Sequence, residues 1–187
     1  MGVRSKPIYV YSLCSHKTCG GAPTSAIFRT ASTLFPMRGF QVVASQHRQH
    51  PEAQIALPRR GSRHSAGYDL VTPAALRVTP GEVVRVATDL KAYMQPGEVL
   101  QVYVRSSVGL RGLVLTNTVG IIDADYYGNS DNDGNIILAL RNLGADTFTA
   151  QAGDRVAQGV FMPYLLAEGD ELESGELRAG GYGHTGR

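Results

Sequence analysis

The chain has 187 residues, of which 18 are Lys or Arg and 16 are Asp or Glu, so its formal net charge is +2. This length suits one domain of ordinary size with room for an extension. Residues 1–65 carry nine basic residues against the single acid Glu52, whereas residues 66–187 carry nine against fifteen acids. The acidic remainder argues against direct nucleic-acid binding, and no apolar run approaches the ~20 residues that cross a bilayer.

The two cysteines, Cys14 and Cys19, do not predict a metal site. A zinc site needs about four ligands, and the nearest other candidates, His47 and His50, match no common finger spacing. Two free thiols suit a reducing compartment, and the start of the chain lacks a secretory apolar region with a cleavage site. We therefore expect a cytoplasmic protein that does not contact membranes.

Residues 1–36 predict an irregular N-terminal extension. Ser, Thr, Gly and basic residues follow one another there without a sustained period of 2 or 3.6. Strand character begins with Met37, which makes Met37 a candidate for the natural start of the protein. We assign residues 37–177 to one β domain and residues 178–187 to a flexible, glycine-rich C-terminal tail that completes the active site.

Beyond Ala66, short β-rich runs alternate with turn signals such as Pro80-Gly81 and Pro96-Gly97. The runs are residues 75–78, 82–87, 98–104, 113–115, 136–142 and 147–150. Such even spacing without long amphipathic helices predicts an all-β fold, either a barrel or a jelly-roll-like sandwich. A single helical turn fits residues 107–111.

Residues 120–128 place acids inside an otherwise apolar, strand-forming run. Asp123 follows three β-branched residues that favour an extended backbone, while Gly120 and Gly128 permit a tight hairpin and the close approach of a ligand. A buried carboxylate is costly unless it has a use. The run therefore predicts a small pocket lined by a carboxylate and an aromatic ring. The alternative is an acid that caps its own turn.

Five short motifs follow one another along the chain. They are Ala-Gly-Tyr-Asp-Leu at 66–70, Arg-Ser-Ser at 105–107, residues 117–128, Gly-Asp-Arg-Val-Ala-Gln at 153–158, and Gly-Gly-Tyr-Gly-His-Thr-Gly at 180–186. In this order and spacing they resemble the motifs of the trimeric dUTPase family. The resemblance covers residues 38–187. It implies a jelly-roll homotrimer with shared active sites that uses Mg²⁺ to hydrolyse dUTP to dUMP and diphosphate. Such an enzyme prevents uracil incorporation into DNA and supplies dUMP for thymidylate synthesis.

The resemblance also implies roles for residues that contact the nucleoside and the metal. Asp123 matches the carboxylate that activates water, and Asp69 matches the acid that holds Mg²⁺ through water. Tyr126 matches the ring that packs under the deoxyribose and excludes a ribose 2′-hydroxyl, and Asn117 matches the position that reads the uracil edge. A core tyrosine and a turn-capping asparagine are the alternatives for these last two residues.

The resemblance further implies a set of phosphate contacts. These are Arg105, Ser106 and Ser107 from the second motif and Gln158 from the fourth, whereas Arg155 is interpreted as structural. In the tail, Tyr182 replaces the usual phenylalanine that stacks on uracil, and His184 and Thr185 reach the γ-phosphate. Arg178 lies two residues before Gly180, where the family commonly has three, so its role as a γ-phosphate clamp stays open.

Residues 128–135 make the turn after the third motif about half a dozen residues longer than is usual in the family. Their alternating Asp and Asn superficially suggest calcium. A calcium loop of the EF-hand kind also needs flanking helices and a distal Glu, which are absent. The segment therefore predicts an exposed polar loop.

Two other functions are alternatives to dUTP hydrolysis. A dCTP deaminase shares the fold, but the position of its proton-shuttling glutamate falls on Ala139. A non-catalytic, dUTP-binding regulatory protein would act through a protein partner. Contacts to such a partner would lie in the N-terminal arm or in residues 128–135.

Overall fold

The computed structural model describes residues 37–170. All of these residues belong to one compact unit. The predicted extension at 1–36 and the predicted tail at 178–187 lie outside the described residues. Among residues 37–170, no helix has the length and apolar character needed to span a lipid bilayer.

The described residues are mostly strands, so the prediction of an all-β fold is confirmed. The strands are β1 Gly39–Val42, β2 Arg59–Arg60, β3 Tyr68–Val71, β4 Leu76–Val78, β5 Val83–Ala87, β6 Leu90–Tyr93, β7 Glu98–Val104, β8 Leu113–Leu115, β9 Gly120–Asp123, β10 Ile137–Asn142, β11 Phe148–Ala150 and β12 Arg155–Pro163. One helical turn, α1, spans Ser106–Gly109, and 3-10 turns span Ser45–His47 and Ala124–Tyr126.

All strand pairs among these elements are antiparallel. The largest sheet has the order β2-β3-β12-β7-β9, a second has the order β5-β10-β8, and two small sheets pair β1 with β6 and β11 with β4. Strand β12 lies at the centre of the largest sheet, where Gln158 is opposite Asp69 on β3 and Tyr103 on β7. This register brings the first and fourth motifs onto neighbouring strands.

One apolar core lies beneath these sheets. Strand β10 shows how the sequence builds it, because Leu138, Leu140 and Asn142 are buried while the residues between them are more exposed, as the period of a strand requires. Leu70, Leu100 and other residues from neighbouring strands complete the same cluster. Burying each such leucine contributes about 1.5–3 kcal/mol. The core thereby fixes the strand ends that carry the motifs.

The six predicted strand runs correspond to β4, β5, β7, β8, β10 and β11, with bounds that differ by at most one residue. The predicted runs did not include β2, β6 or the central strand β12. Of these, β6 follows Thr88 and Asp89 directly. The chain passes from one sheet to another between β5 and β6. Asp89 has a φ of 55° at this turn, but no glycine or proline stands beside it to mark the turn in the sequence. Hydrogen bonds from distant residues stabilise this turn instead.

Asp89 is fully buried and holds an N-terminal strap, residues 44–53, against the domain. Its carboxylate accepts hydrogen bonds from the backbone N–H groups of Gln49 and His50, both at 2.8 Å, and from Asn135 Nδ2 at 3.0 Å. Arg48 Nε lies 3.5 Å from Asp89 Oδ2, and Arg48 Nη2 donates to two carbonyl groups of the strap. Burial alone would raise the pKa of Asp89, but these hydrogen bonds outweigh burial and lower it.

Candidate active site

Three of the sequence motifs meet at a single carboxylate. Asp69 lies on β3, Arg105 follows β7 and Arg155 begins β12. Asp69 Oδ1 is 2.9 Å from Arg105 Nε, and Asp69 Oδ2 is 3.2 Å from Arg155 Nη1. The Asp69 side chain is only 13% exposed, so each oxygen faces a guanidinium group in a sheltered position. The pairing orients both arginines, and their combined charge exceeds that of the acid.

Arg105 and Arg155 also line an open cavity of about 220 Å³. Ser107 and Arg111 line the same cavity, and the Arg111 guanidinium lies 4.2 Å from the centre of the Phe148 ring. The cavity therefore presents three guanidinium groups, which suit the recognition of phosphate oxygens. Sequence reasoning did not single out Arg111, and it interpreted Arg155 as structural without predicting its ion pair.

Ser106 and Ser107 form the start of α1, directly after Arg105. Both side chains are exposed. The backbone of Arg105 is extended and accepts the first hydrogen bonds of the turn, from the N–H groups of Val108 and Gly109, both at 2.9 Å. The helical turn thus places Ser107 beside Arg105 in the lining of the 220 Å³ cavity, whereas Ser106 is not among the lining residues.

Gln158 packs directly over Gly67, the glycine of the first motif. A Cβ atom on Gly67 would overlap Gln158 Oε1 and lie 3.1 Å from Gln158 Cδ. The side chain of residue 67 must therefore be absent for Gln158 to keep its position beside Asp69. This contact gives the glycine a physical reason that its sequence context alone did not supply.

A smaller cavity of about 170 Å³ lies between strand β10 and the segment that joins β8 to β9, two strands that belong to different sheets. Asn117, Gly120, Ile122 and Ala139 are among its lining residues. At ~30 Å³ per water molecule it holds about five or six waters, the scale of one heterocyclic base. Its walls are mostly apolar. The turn is closed through the Asn117 carbonyl group, which accepts from Val119 N at 2.6 Å.

Asp123 ends β9 opposite Val99 and is half-buried. Ile122 lines the 170 Å³ cavity, whereas Asp123 lines a separate open cavity of about 550 Å³. The split follows from strand geometry, because successive side chains point to opposite faces. The backbone then leaves the strand at Ala124 and enters the 3-10 turn that carries Tyr126.

Tyr126 is buried, with 6% of its surface exposed. Its hydroxyl group donates to the carbonyl oxygen of Asn135 at 3.0 Å and accepts from Asn132 Nδ2 at 2.7 Å. The prediction of an exposed polar loop at 128–135 is wrong for part of the segment, since Asn129 and Asn135 are 7% and 1% exposed. The Asn129 side-chain amide satisfies backbone groups of the loop, whereas that of Asn135 donates to the His47 carbonyl and the Asp89 carboxylate and accepts from Asp89 N, so both can be buried.

The predicted site residues thus fall into separate parts of one chain. Asp69, Arg105, Arg155 and Gln158 form one group. Asn117 lines the 170 Å³ cavity, and Asp123 lines the 550 Å³ cavity. Arg178, Tyr182, His184 and Thr185 lie outside the described residues. Within residues 37–170 there is no cluster of three or more His, Cys, Asp or Glu residues able to cage a metal ion.

Comparison with known proteins agrees with this arrangement of motifs on an antiparallel β domain. The dUTPase family model matches residues 53–186, and the chain belongs to the dUTPase family. Deoxyuridine 5'-triphosphate nucleotidohydrolase of Lactococcus lactis subsp. lactis is 48% identical over 151 residues, which are 80% of this chain and 98% of the relative. The enzyme of the same name from Shewanella piezotolerans is 39% identical over 140 residues, or 71% and 88% of the two chains.

Solved structures show the same fold. The dUTPase from Streptococcus mutans superposes with a TM-score of 0.61 at 44% identity, covering 70% of this chain and 99% of its own. The dUTPase from phage phi11 of S. aureus superposes with a TM-score of 0.58 at 21% identity, covering 75% and 99%. The second likeness concerns the fold alone.

Proposed function

We propose that the protein hydrolyses dUTP to dUMP and diphosphate. The observation that carries this proposal is the 48% identity to a deoxyuridine 5'-triphosphate nucleotidohydrolase, which extends over 98% of that relative. The reaction would keep dUTP low, which prevents uracil incorporation into DNA, and would supply dUMP for thymidylate synthesis. A nucleotide substrate of this kind also agrees with a cytoplasmic location.

Asp123 is the proposed general base. A triphosphate repels incoming nucleophiles, so hydrolysis gains from a carboxylate that orients a water molecule and accepts its proton. Its position at the end of β9, beside an open cavity and one residue from the base-sized cavity, supports this role. The proton would pass from water to the carboxylate as the new bond to phosphorus forms.

The phosphates are proposed to lie against the cluster around Asp69. Arg105 would bind non-bridging oxygens and stabilise negative charge on the leaving diphosphate. Its Nε is held by Asp69 at 2.9 Å, which orients the guanidinium before substrate arrives. Ser106, Ser107 and Gln158 would add neutral hydrogen bonds. Arg155 shares the same carboxylate and adds charge to the cavity.

The nucleoside is proposed to occupy the 170 Å³ cavity, with Asn117 at the uracil edge and the Tyr126 ring under the deoxyribose. The size of the cavity and its mostly apolar walls support the binding of a single base. Ala139 lines this cavity at the position where a dCTP deaminase has its glutamate. The deaminase reaction therefore has no acid to move its protons.

Magnesium is the proposed cofactor. Both oxygens of Asp69 are engaged by arginines, and residues 37–170 provide no three-acid cage, so the donor set suits a hydrated ion carried by the triphosphate and reached from Asp69 through water. Bound Mg²⁺ would neutralise phosphate charge. A dUTPase mutant from the same phage phi11 is described as coordinating a structural Mg(II) ion.

We further propose a homotrimer with shared active sites. The proposed site residues lie in separate parts of the single chain, and a site assembled from several chains would join them. Large apolar side chains are also exposed at and after the end of β12, with Met162, Tyr164, Leu165 and Leu166 at 40%, 43%, 98% and 47% exposure. The tail of a neighbouring subunit would add Arg178, Tyr182, His184 and Thr185.

Diphosphate release tests this proposal. We expect Mg²⁺-dependent release from dUTP that exceeds release from dCTP, dTTP and UTP and is lost with excess chelator. Asp123→Asn should abolish turnover and keep dUTP binding. Folded protein that binds dUTP and releases nothing from any of the four nucleotides would instead support a regulatory protein that acts through a partner.

A further inference from the structure

The loop that follows Tyr126 encloses that residue with asparagine side chains. We call residues 129–135 the asparagine loop. Asn132 Nδ2 donates to the Tyr126 hydroxyl at 2.7 Å, and the hydroxyl donates to the Asn135 carbonyl at 3.0 Å. Asn129 Nδ2 donates to the Tyr126 carbonyl at 2.8 Å. The hydroxyl is therefore engaged both as donor and as acceptor, and the backbone of the same residue is fixed as well.

The asparagine loop is itself rigidly built. Asn129 Oδ1 accepts the backbone N–H groups of Asp131 and Asn132, both at 3.0 Å. Asn132 Oδ1 accepts from Gly134 N at 3.0 Å and from Asn129 Nδ2 at 2.9 Å. The orientation of the Asn132 amide is thus determined by two bonds on its oxygen side, which leaves its nitrogen directed at Tyr126.

Asp133 anchors the loop to the rest of the domain. Its carboxylate accepts from Ala44 N at 2.7 Å and forms an ion pair with Lys91 Nζ at 2.8 Å. Burial alone would raise the pKa of Asp133, but the hydrogen bonds from Lys91 and Ala44 outweigh it and lower the pKa. Lys91 belongs to β6 and also lies 4.7 Å from the centre of the Tyr127 ring. The loop is therefore fixed to a core strand and to the strap.

We propose that Asn132 is a positioning residue that sets the selectivity of the enzyme for deoxyribose over ribose. Exclusion of a 2′-hydroxyl by contact requires a ring that does not yield, because a shift of a few tenths of an ångström relieves a steric clash. The bond from Asn132 to the Tyr126 hydroxyl restricts rotation and tilt of that ring. This inference rests on the proposed function and on the proposed place of Tyr126 under the sugar.

The test compares kcat/KM for dUTP and for UTP in Asn132→Ala, measured by diphosphate release from one preparation. Loss of one hydrogen bond that holds the ring should raise the UTP to dUTP ratio about two- to tenfold. The kcat for dUTP should change much less, because the ring itself is retained. A ratio within one preparation is independent of the fraction of active protein, so partial unfolding does not alter it.

Tyr126→Phe removes the same hydrogen bond from the other side and completes a double-mutant cycle. We expect Asn132→Ala to raise the ratio in the wild-type background and to have no further effect in the Tyr126→Phe background. The matched control is Asp131→Ala, since Asp131 is exposed and contributes its backbone N–H, which alanine keeps. The control should retain the wild-type ratio.

Three outcomes would overturn the inference. The first is an Asn132→Ala enzyme that loses activity on both nucleotides by the same factor, since that result describes a merely structural residue. The second is additive effects in the double-mutant cycle. If Asn132→Ala does not fold, the third outcome applies: the ratio of kcat/KM for UTP to that for dUTP in Tyr126→Phe equals the wild-type ratio. Wild-type protein that releases no diphosphate from dUTP would instead refute the proposed function itself.

Discussion

Replacing the buried Asp89 by Asn, which has the same shape, should strongly destabilise the domain. Asparagine tolerates a φ near the 55° of Asp89, so the backbone of the turn is kept. The change removes the negative charge and replaces one acceptor oxygen by an NH₂ group. It therefore isolates the electrostatic and hydrogen-bonding part of the contribution of Asp89 to stability.

The magnitude follows from the contacts of the buried carboxylate. It accepts three hydrogen bonds, from Gln49 N, His50 N and Asn135 Nδ2, and the N–H groups of Gln49 and His50 face different oxygens. An amide has one acceptor oxygen, so at least one backbone N–H is left facing an NH₂ group. The substitution loses a charge-assisted hydrogen bond, leaves a buried N–H donor unsatisfied and leaves Arg48 without its ion-pair partner. Together these effects should lower the free energy of unfolding by about 3–5 kcal/mol.

Urea unfolding at pH 7 and a fixed protein concentration measures this cost. With an m-value of about 1–3 kcal/mol per molar urea, the midpoint should fall by roughly 1–5 M. Asp146→Asn is the control, because Asp146 is exposed, and its midpoint should stay close to that of the wild type. A change in Asp89→Asn of less than about 1 kcal/mol would refute the reasoning that the strap depends on this carboxylate.

Three further results are expected. The pKa of Asp89 is lower in the folded protein than its unfolded value of about 3.9, so the stability that Asp89 confers is present above pH ~4 and is lost as the pH falls through the folded pKa. In an acid titration followed by circular dichroism, the difference in stability between wild type and Asp89→Asn should therefore shrink as the pH falls below about 4. Asp123→Asn should lower kcat for dUTP by about 10²–10⁴-fold with little change in dUTP affinity, and unchanged turnover would remove Asp123 from the proposed mechanism. Gly67→Ala should displace Gln158 and raise KM about tenfold with a small change in thermal midpoint, whereas Gly61→Ala, whose Cβ would meet only ordinary contacts, should match the wild type in both measurements.

Local patterns in the sequence were enough to predict most strands but not the turn at Asp89. Strands such as β7 and β10 each follow a Pro-Gly or Asp-Gly signal and are rich in Val, Ile or Leu, so their bounds follow from local chemistry. Asp89 adopts a positive φ because Gln49, His50 and Asn135 bind it, and these partners are 39 to 46 residues away. A turn stabilised by distant residues leaves no local signal.

The candidate site shows the same division. The motif resemblance predicted Asp69 and Arg105 as site residues, and the structure brings these two side chains together. It did not predict that Asp69 forms ion pairs with both Arg105 and Arg155, because those pairs depend on the register between β3, β12 and β7. The asparagine loop was predicted to be exposed for a related reason, since its burial requires Lys91 and Ala44, far away in the chain.

The strap has a consequence for how much of the N-terminal region the domain can lose. Removal of the residues that precede β1 leaves the β1–β6 pairing and the bonds of Gln49 and His50 to Asp89 in place. Removal up to position 43 takes away β1 and the buried Val43, and removal beyond His50 also leaves a fully buried negative charge without its backbone donors. Soluble yield in a deletion series should therefore fall steeply between the start of β1 and His50. The N-terminal boundary of the minimal folding unit would be set by the partners that β6 and Asp89 require, and both of these lie in the middle of the chain.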